Sequence, residues 1–290
     1  MQVVLLFAVA IILGTCCSVT YKASVQRAKT AYDIPFILVA ESFVLTVVFG
    51  VLSAINRVSF KFGNIIPGIV SGVSTFVAMV CLFKSMGSGS FGVTIVLANL
   101  NFIIPIILSA VFLSESASAW QTAGIITMIA VIISVNVGAR KDGDGRSPKI
   151  FILWAIGSFL FNGLLNFGVK LHDHYLRESP LAFNFVTFAC CFLCSAVLFI
   201  VRRIKSGERV NISKEIIPCA AIFTALCGAN FFIQSILPEY VNAAVQFTVG
   251  LGGAMLAGML ISHIFYKERF TWRSAVTLLG SAVAIILQVV

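Results

Sequence analysis

Ten stretches of this chain are free of Asp, Glu, Lys and Arg, apart from one residue, and most are about as long as a membrane-spanning helix. A helix needs about 20 apolar residues to cross the hydrocarbon core of a bilayer. The backbone finds no water to bond there, so each span must be helical. The pattern therefore predicts an all-α membrane protein with ten transmembrane helices. The stretches are 1–21, 34–56 (which holds the exception, Glu41), 65–83, 91–114, 116–139, 150–169, 181–201, 216–238, 240–266 and 274–290.

Composition excludes a water-soluble protein. The 290 residues are 59% hydrophobic and 11% charged, whereas soluble domains carry about 25% charged residues. The net charge of +9 lies between the apolar stretches, so it indicates membrane topology rather than nucleic-acid binding. All eight cysteines lie inside the stretches, and Cys191-x-x-Cys194 has no second pair to complete a zinc site. We therefore predict packing roles for the cysteines, with no metal and no cofactor.

Several motifs occur twice, in the same order and at nearly one spacing. Such internal self-similarity indicates two homologous halves. We predict a first repeat at 1–138, a polar linker at 139–149 and a second repeat at 150–290. The matching residues, 145 to 153 positions apart, are Lys22 and Lys170, Pro35 and Pro180, Pro67 and Pro218, Glu115 and Glu268, and Trp120 and Trp272.

Each predicted half holds five spans, an odd number. The second half must therefore enter the membrane upside down relative to the first. Inverted repeats of this kind are frequent in secondary transporters, which place the substrate near the bilayer midplane between the halves. The fold class expected here is ten transmembrane helices arranged as two inverted five-helix repeats.

One long stretch carries a family resemblance. It reads SMGSGSFGVTIVLANLNFIIPIILSAVFLSESASAWQTAG and resembles the EamA-like ten-helix branch of the drug/metabolite transporter superfamily. Pro105 and Glu115 stand at that family's proline and glutamate positions. The second half keeps the glutamate as Glu268 but has Gly258 near the proline position. The resemblance covers nearly the whole chain, and it implies a central cavity lined by helices 1, 3, 4, 6, 8 and 9.

Glu41 is the one carboxylate inside an apolar span. It lies seven residues past Ile34, about 10 Å along the helix. The resembled family often has an arginine near this position, so the sign of the charge is reversed here. Ionisable groups inside a membrane are costly and usually functional. We predict that Glu41 is a proton-coupling and substrate-binding residue near the aromatic side chains of the sixth span. The alternative is a neutral, hydrogen-bonded structural glutamate.

Amide side chains form pairs at helical spacing in several spans. Residues four apart share a helix face, and a polar stripe in a membrane helix faces protein or a wet cavity. The alternative is interhelical hydrogen bonding, worth about 0.6–2 kcal/mol each. Trp154 stands near one stripe, where an aromatic face suits an organic cation. The further substrate-binding residues predicted are Asn99, Asn101, Trp154, Asn162, Asn166, Asn230, Gln234 and Gln246.

Three polar features outside the spans have modest roles in this interpretation. Glu115 and Glu268 precede the fifth and tenth helices, where they are expected to complement the positive end of the helix dipole. We expect both to be structural or gating residues. His172 and His174 form a His-Asp-His sequence, which we expect to be a solvated loop rather than a metal site.

The orientation of the termini stays open. If the amino terminus is cytoplasmic, only Arg57, Lys61, Lys170 and Arg177 of the 20 basic residues are cytoplasmic. The positive-inside rule therefore favours both termini outside, whereas the resembled family is usually drawn with both inside.

The function expected is secondary active transport of a small organic solute, cationic or zwitterionic, by alternating access, with proton coupling through Glu41. The resemblance implies no enzymatic activity and no nucleic-acid partner. Expected partners are the solute, protons and membrane lipids, in a monomer or homodimer of the bacterial inner or plasma membrane. The alternatives are an exporter of neutral amino acids or drugs with a structural Glu41, and a non-transporting membrane subunit or intramembrane enzyme.

Overall fold

A computed structural model describes residues 2–60, 62–88, 100–115, 118–136, 148–176, 179–207 and 210–266, and the short pieces 279–280, 282–284 and 286–287. Throughout these ranges the regular structure is helical. Asn99 and Glu268 lie outside the described residues. The helices are α1 Gln2–Arg27, α2 Asp33–Ile55, α3 Phe62–Ser88, α4 Ile103–Phe112, α5 Ala119–Asn136, α6 Pro148–Leu176, α7 Pro180–Ser206, α8 Ile216–Ile236 and α9 Ala243–Tyr266. Short 3₁₀ turns, Leu100–Phe102 and Leu237–Glu239, precede α4 and follow α8.

Within the described residues, six helices are long and apolar enough to cross a membrane. These spans coincide with the first, second, third, sixth, seventh and eighth apolar stretches of the sequence. Three further apolar helices are shorter, Leu100–Phe112, Ala119–Ala130 and Ala243–Ala254. The all-helical prediction is thereby confirmed for the described residues, and the six long apolar helices indicate a membrane-embedded protein. The count of ten spans stays a prediction, because the remaining stretches run partly outside the described residues.

Local sequence signals explain where several helices begin and end. Ser179 accepts a hydrogen bond from the Leu181 amide, and Pro180 occupies the first turn of α7, both favourable at a helix start. Gly207 ends α7 with a φ of 63°, a left-handed conformation that suits glycine. At α5, the Ser118 hydroxyl and the Gln121 side chain bond each other's backbone amides at 3.1 Å, which is a capping box.

The most extensive helix pairs in the described part all join a helix before residue 137 to one after residue 147. Helix α3 packs against α6 and α7, α2 against α7 and α8, α1 against α8 and α9, and α4 against α6. Small residues permit this approach, as is usual in membranes. A side chain at Gly72 would overlap the Thr187 carbonyl oxygen, and one at Gly168 would overlap Ser71. The two parts of the chain therefore interlock rather than stand side by side.

The helix ends define two faces of the bundle. Face I holds the α1–α2 and α7–α8 connections, which touch through Thr30 and Asn211. Face II holds the α4–α5 and α8–α9 connections and the end of α6, which meet at Glu115, Val241 and Lys170. His172 and His174 lie within the last turns of α6, so the prediction of a loop there is wrong. His172 is buried and packs on Phe183 with ring centroids 4.7 Å apart, because α6 runs further than its apolar stretch.

Candidate functional site

Glu41 is buried in the helix interface, with 5% of the residue exposed. The Cys227 thiol of α8 lies beside its carboxylate, and Cys17 of α1 lies beside the Cys227 sulfur. Tyr21 of α1 and Cys191 of α7 are close enough to sense the charge of Glu41. The Tyr21 hydroxyl is buried and has no hydrogen-bond partner among the described residues. The carboxylate therefore stands where α1, α2, α7 and α8 meet.

This neighbourhood differs from the one that the sequence suggested. We expected Glu41 beside the aromatic side chains of the sixth span, but the partners found lie on α1, α7 and α8. Helix α6 packs mainly against α3 and α4 instead. The Lys84 ammonium lies over the Trp154 ring, 4.1 Å from its centroid. A cation from the protein itself therefore occupies the face of Trp154 that was expected to receive a cationic solute.

A second polar group lies between α1, α8 and α9. It consists of Asn230, Gln234 and Gln246, which we call the acceptor stripe. The Gln246 side-chain nitrogen donates to the Gln234 main-chain oxygen at 3.0 Å, so α9 and α8 are tied at this level. The side-chain oxygens of all three residues are buried and lack a partner in the described part of the chain. A buried acceptor without a donor costs about 1–3 kcal/mol, so a ligand that donates hydrogen bonds to the three oxygens would be stabilised here.

The acceptor stripe and Glu41 share one face of α8. Cys227, Asn230 and Gln234 are spaced i, i+3 and i+7, which places them along one side of a helix. At 1.5 Å per residue, Asn230 lies about 4.5 Å and Gln234 about 10 Å along the axis from Cys227. A Cβ atom built on Gly14 of α1 would lie 3.9 Å from the Asn230 side-chain oxygen, so this face looks toward α1. The carboxylate and the amide oxygens form one continuous polar strip.

The other predicted amides lie elsewhere. Asn166 of α6 donates to Asn101 in the turn before α4, at 3.4 Å. Asn162 donates to the Ser158 carbonyl of its own helix at 2.9 Å. The structure thus brings Asn101 and Asn166 together and places Asn230, Gln234 and Gln246 together, in two separate groups.

Face II carries a polar cavity of about 420 Å³. At its wall, the Lys170 ammonium is almost fully buried, and it contacts the Glu115 carboxylate at 3.0 Å and the Val241 carbonyl at 2.8 Å. The second oxygen of Glu115 accepts from the Ala243 amide at 2.9 Å. The lining residues are Glu115, Lys170, Asp173, His174, Pro238, Glu239, Tyr240, Val241 and Asn242.

This arrangement corrects the role expected for Glu115. We expected its carboxylate to complement the start of the fifth helix, but it caps the start of α9, through Ala243, and neutralises Lys170. Ser118 and Gln121 supply the cap of α5 instead. The burial of Lys170 could not be predicted from the sequence near it, because its partner Glu115 comes from a distant connection.

Face I is held by a buried aspartate. Asp33, fully buried, accepts hydrogen bonds from the backbone amides of Lys29 and Thr30 at 2.8 and 2.9 Å. It also accepts from the backbone amide and hydroxyl of Ser213 at 2.9 and 2.7 Å. Asp33 therefore joins the α1–α2 connection to the segment that leads into α8. Among the residues that the structure describes, no three His, Cys, Asp or Glu side chains are placed to hold a metal ion.

Comparison with known proteins establishes the fold. No protein-family model and no curated protein matches the chain. Solved structures do match: one crystal structure superposes with a TM-score of 0.71 at 17% identity, over 99% of this chain and 97% of the other. The likeness extends over both chains almost entirely, so the whole helical architecture is shared. At this identity it establishes the fold alone. The class defined here is a polytopic helical membrane protein.

Proposed function

We propose that this protein is a secondary active transporter that moves a small cationic or zwitterionic organic solute across a membrane by alternating access. Its proposed family is the EamA-like branch of the drug/metabolite transporter superfamily. The observation that carries the proposal is the position of Glu41. A carboxylate buried where α1, α2, α7 and α8 meet is costly in a membrane protein, and it stands in the interface between the two parts of the chain. A residue there contacts both parts of the chain, so its surroundings change when the two parts move relative to each other.

The proposed architecture is ten spans in two inverted repeats, 1–138 and 150–290, joined by the linker 139–149. The helix packing supports it. A two-fold relation exchanges α1 with α6, α2 with α7, α3 with α8 and α4 with α9. Under this exchange the pair α1–α8 becomes α6–α3, and the pair α1–α9 becomes α6–α4. Likewise α3–α7 becomes α8–α2, while α2–α7 is unchanged. Every one of these pairs is present, as a two-fold relation between halves requires.

Both faces of the bundle are tied across the halves, which suits alternating access. On face II, Glu115 of the first half holds Lys170 and Ala243 of the second. On face I, Asp33 of the first half holds Ser213 of the second. Transport by alternating access requires ties of this kind to form and break in turn. We therefore assign Glu115 and Asp33 as latches of the two faces.

Coupling follows from competition at Glu41. One carboxylate holds either a proton or a cationic group, so binding of one displaces the other. Movements are coupled only if the two access states differ in affinity for these ligands. Glu41 contacts Cys227 across the halves, so its surroundings change when the halves move. The proposed partners are the solute, protons and lipids, in a bacterial inner or plasma membrane, as a monomer or homodimer.

One observation favours a second candidate. The Cys227 thiol lies beside the Glu41 carboxylate, where it can donate the hydrogen bond that a structural glutamate requires. In that case the protein exports neutral amino acids or drugs and Glu41 only holds α2 to α8. Transport by the purified protein in proteoliposomes, with a solute panel and empty liposomes as control, tests both candidates. Both candidate functions would be contradicted if the protein takes up none of the solutes in the panel under gradients of pH, sodium or potential.

A further inference from the structure

The unpartnered atoms of the acceptor stripe share one chemical character. Its three unpartnered atoms, on Asn230, Gln234 and Gln246, are all oxygens, so they accept hydrogen bonds and donate none. Gln246 is fully buried, and buried polar atoms in native proteins nearly always have a partner. The Gln246 nitrogen is already engaged with the Gln234 main chain at 3.0 Å. A ligand that satisfies these three oxygens must therefore bring donors.

Charge narrows the choice of ligand. The same face of α8 carries Cys227, about 4.5 Å along the helix axis from Asn230, and the Glu41 carboxylate lies beside Cys227. The negative charge at this end of the strip favours a cation over a neutral donor and disfavours an anion. A primary ammonium group carries three N–H donors and no acceptor, which matches three amide oxygens. Hard metal cations take six or more oxygen ligands, twice what the stripe supplies.

We propose that Asn230, Gln234 and Gln246 form the binding site for a primary ammonium group of the solute. The inference rests on the proposed function and specifies its substrate class: an amine-bearing solute whose ammonium is held by amide oxygens, with Glu41 as the nearby counter-charge. The site lies between α1 and α9 of opposite halves and α8, where a bound ligand contacts both halves at once.

Two glycines provide a steric probe of the same strip. A Cβ atom at Gly250 would lie 3.5 Å from the Gln234 side-chain nitrogen, and one at Gly14 would lie 3.9 Å from the Asn230 oxygen. Both are ordinary van der Waals distances, so alanine fits the folded helices. The added methyl group nevertheless occupies space beside the amides. Gly250→Ala is therefore expected to fold normally and to weaken binding.

The test is binding of n-butylammonium to the purified full chain in detergent, measured by calorimetry. Comparison ligands are tetramethylammonium, which has the same charge and no N–H, sodium, and butyrate. Asn230→Leu is expected to weaken n-butylammonium binding roughly ten- to hundredfold, because a hydrogen bond to a charged group is lost. Asn56→Leu is the matched control, since Asn56 is exposed and, among the described residues, its side chain bonds the Leu52 carbonyl of its own helix.

The proposal predicts that n-butylammonium binds, that tetramethylammonium binds at least tenfold more weakly, and that Asn56→Leu changes nothing. It is overturned if tetramethylammonium binds equally well, if sodium alone binds, or if Asn230→Leu and Gly250→Ala both bind n-butylammonium like the parent protein. If Asn230→Leu does not fold, Gly250→Ala decides. Proteoliposome flux of an amine-free solute together with no n-butylammonium binding refutes this site alone, whereas binding without flux of any solute refutes the transport function alone.

Discussion

The ion pair on face II gives the sharpest energetic prediction. Lys170 has 2% of its side chain exposed and Glu115 has 26%. Removing the carboxylate by Glu115→Ala leaves a buried ammonium with one neutral partner, the Val241 carbonyl. It also leaves the Ala243 amide at the start of α9 without its cap.

The magnitude follows from these contacts. Removing one partner of a buried ion pair costs about 3–5 kcal/mol, and losing a helix cap costs about 1 kcal/mol. Solvent reaches a quarter of Glu115, and Lys170 keeps Val241, so the pair is weaker than a fully buried one. We expect Glu115→Ala to lower the free energy of unfolding by about 2–4 kcal/mol, mainly through the unpaired charge. Lys170→Met leaves a partly solvated carboxylate, so we expect a smaller loss of about 1–2 kcal/mol.

A double-mutant cycle measures the pair itself. The double variant Glu115→Ala/Lys170→Met has no uncompensated buried charge, so its loss should be smaller than the sum of the single losses by about 1–2 kcal/mol. The assay is reversible unfolding of the purified protein in mixed detergent micelles. Single losses below about 0.5 kcal/mol, or strictly additive losses, would show that Lys170 is solvated and that the face II latch does not exist.

Two further predictions concern packing and face I. Gly72→Ala should lower the melting temperature clearly, by a cost of about 1–3 kcal/mol, because its Cβ would overlap the Thr187 carbonyl oxygen. Gly250→Ala is the matched control, and equal melting temperatures for the two variants would contradict the packing of α3 on α7. Asp33→Ala should destabilise the protein by about 2–4 kcal/mol, because several amide donors lose a buried acceptor. It should also raise the reactivity of a cysteine placed at Ser213 toward a water-soluble maleimide, and unchanged reactivity would contradict a latch on face I.

Much of the fold can be predicted from the sequence because backbone polar groups in hydrocarbon must form their hydrogen bonds within the chain, which few structures allow. Apolar stretches of about 20 residues predict helices almost by length alone, and six of them appear as spans. Their ends are less predictable, because a helix continues past the membrane where polar groups find partners. Helix α6 runs to Leu176, seven residues beyond its apolar stretch, because Lys170 and His172 are buried against other helices.

The candidate site could be predicted only in part. Spacing along a helix shows which residues share a face, so Asn230 and Gln234 were found together. Spacing does not show which helix lies opposite, so Glu41 was expected near α6 when α2 packs against α7 and α8. Lys170 was missed for a related reason, since a lysine near a helix end is ordinarily solvated. Lys170 can be buried because its ammonium pairs with Glu115, which belongs to the α4–α5 connection, far away in the sequence.

The most direct test of the central claim is the pH dependence of solute accumulation by Glu41→Gln in proteoliposomes. The parent protein and the variant are reconstituted at equal density, and accumulation of a transported solute is followed under an imposed pH gradient. Exchange of labelled for unlabelled solute, without a gradient, serves as the control for folding and binding. Glu41→Gln is expected to exchange solute only at higher solute concentration, because the neutral amide no longer attracts the cationic group, and to lose accumulation driven by the pH gradient, because the amide cannot bind the coupling proton. Accumulation by Glu41→Gln with the pH dependence and apparent affinity of the parent protein would contradict proton coupling through this carboxylate.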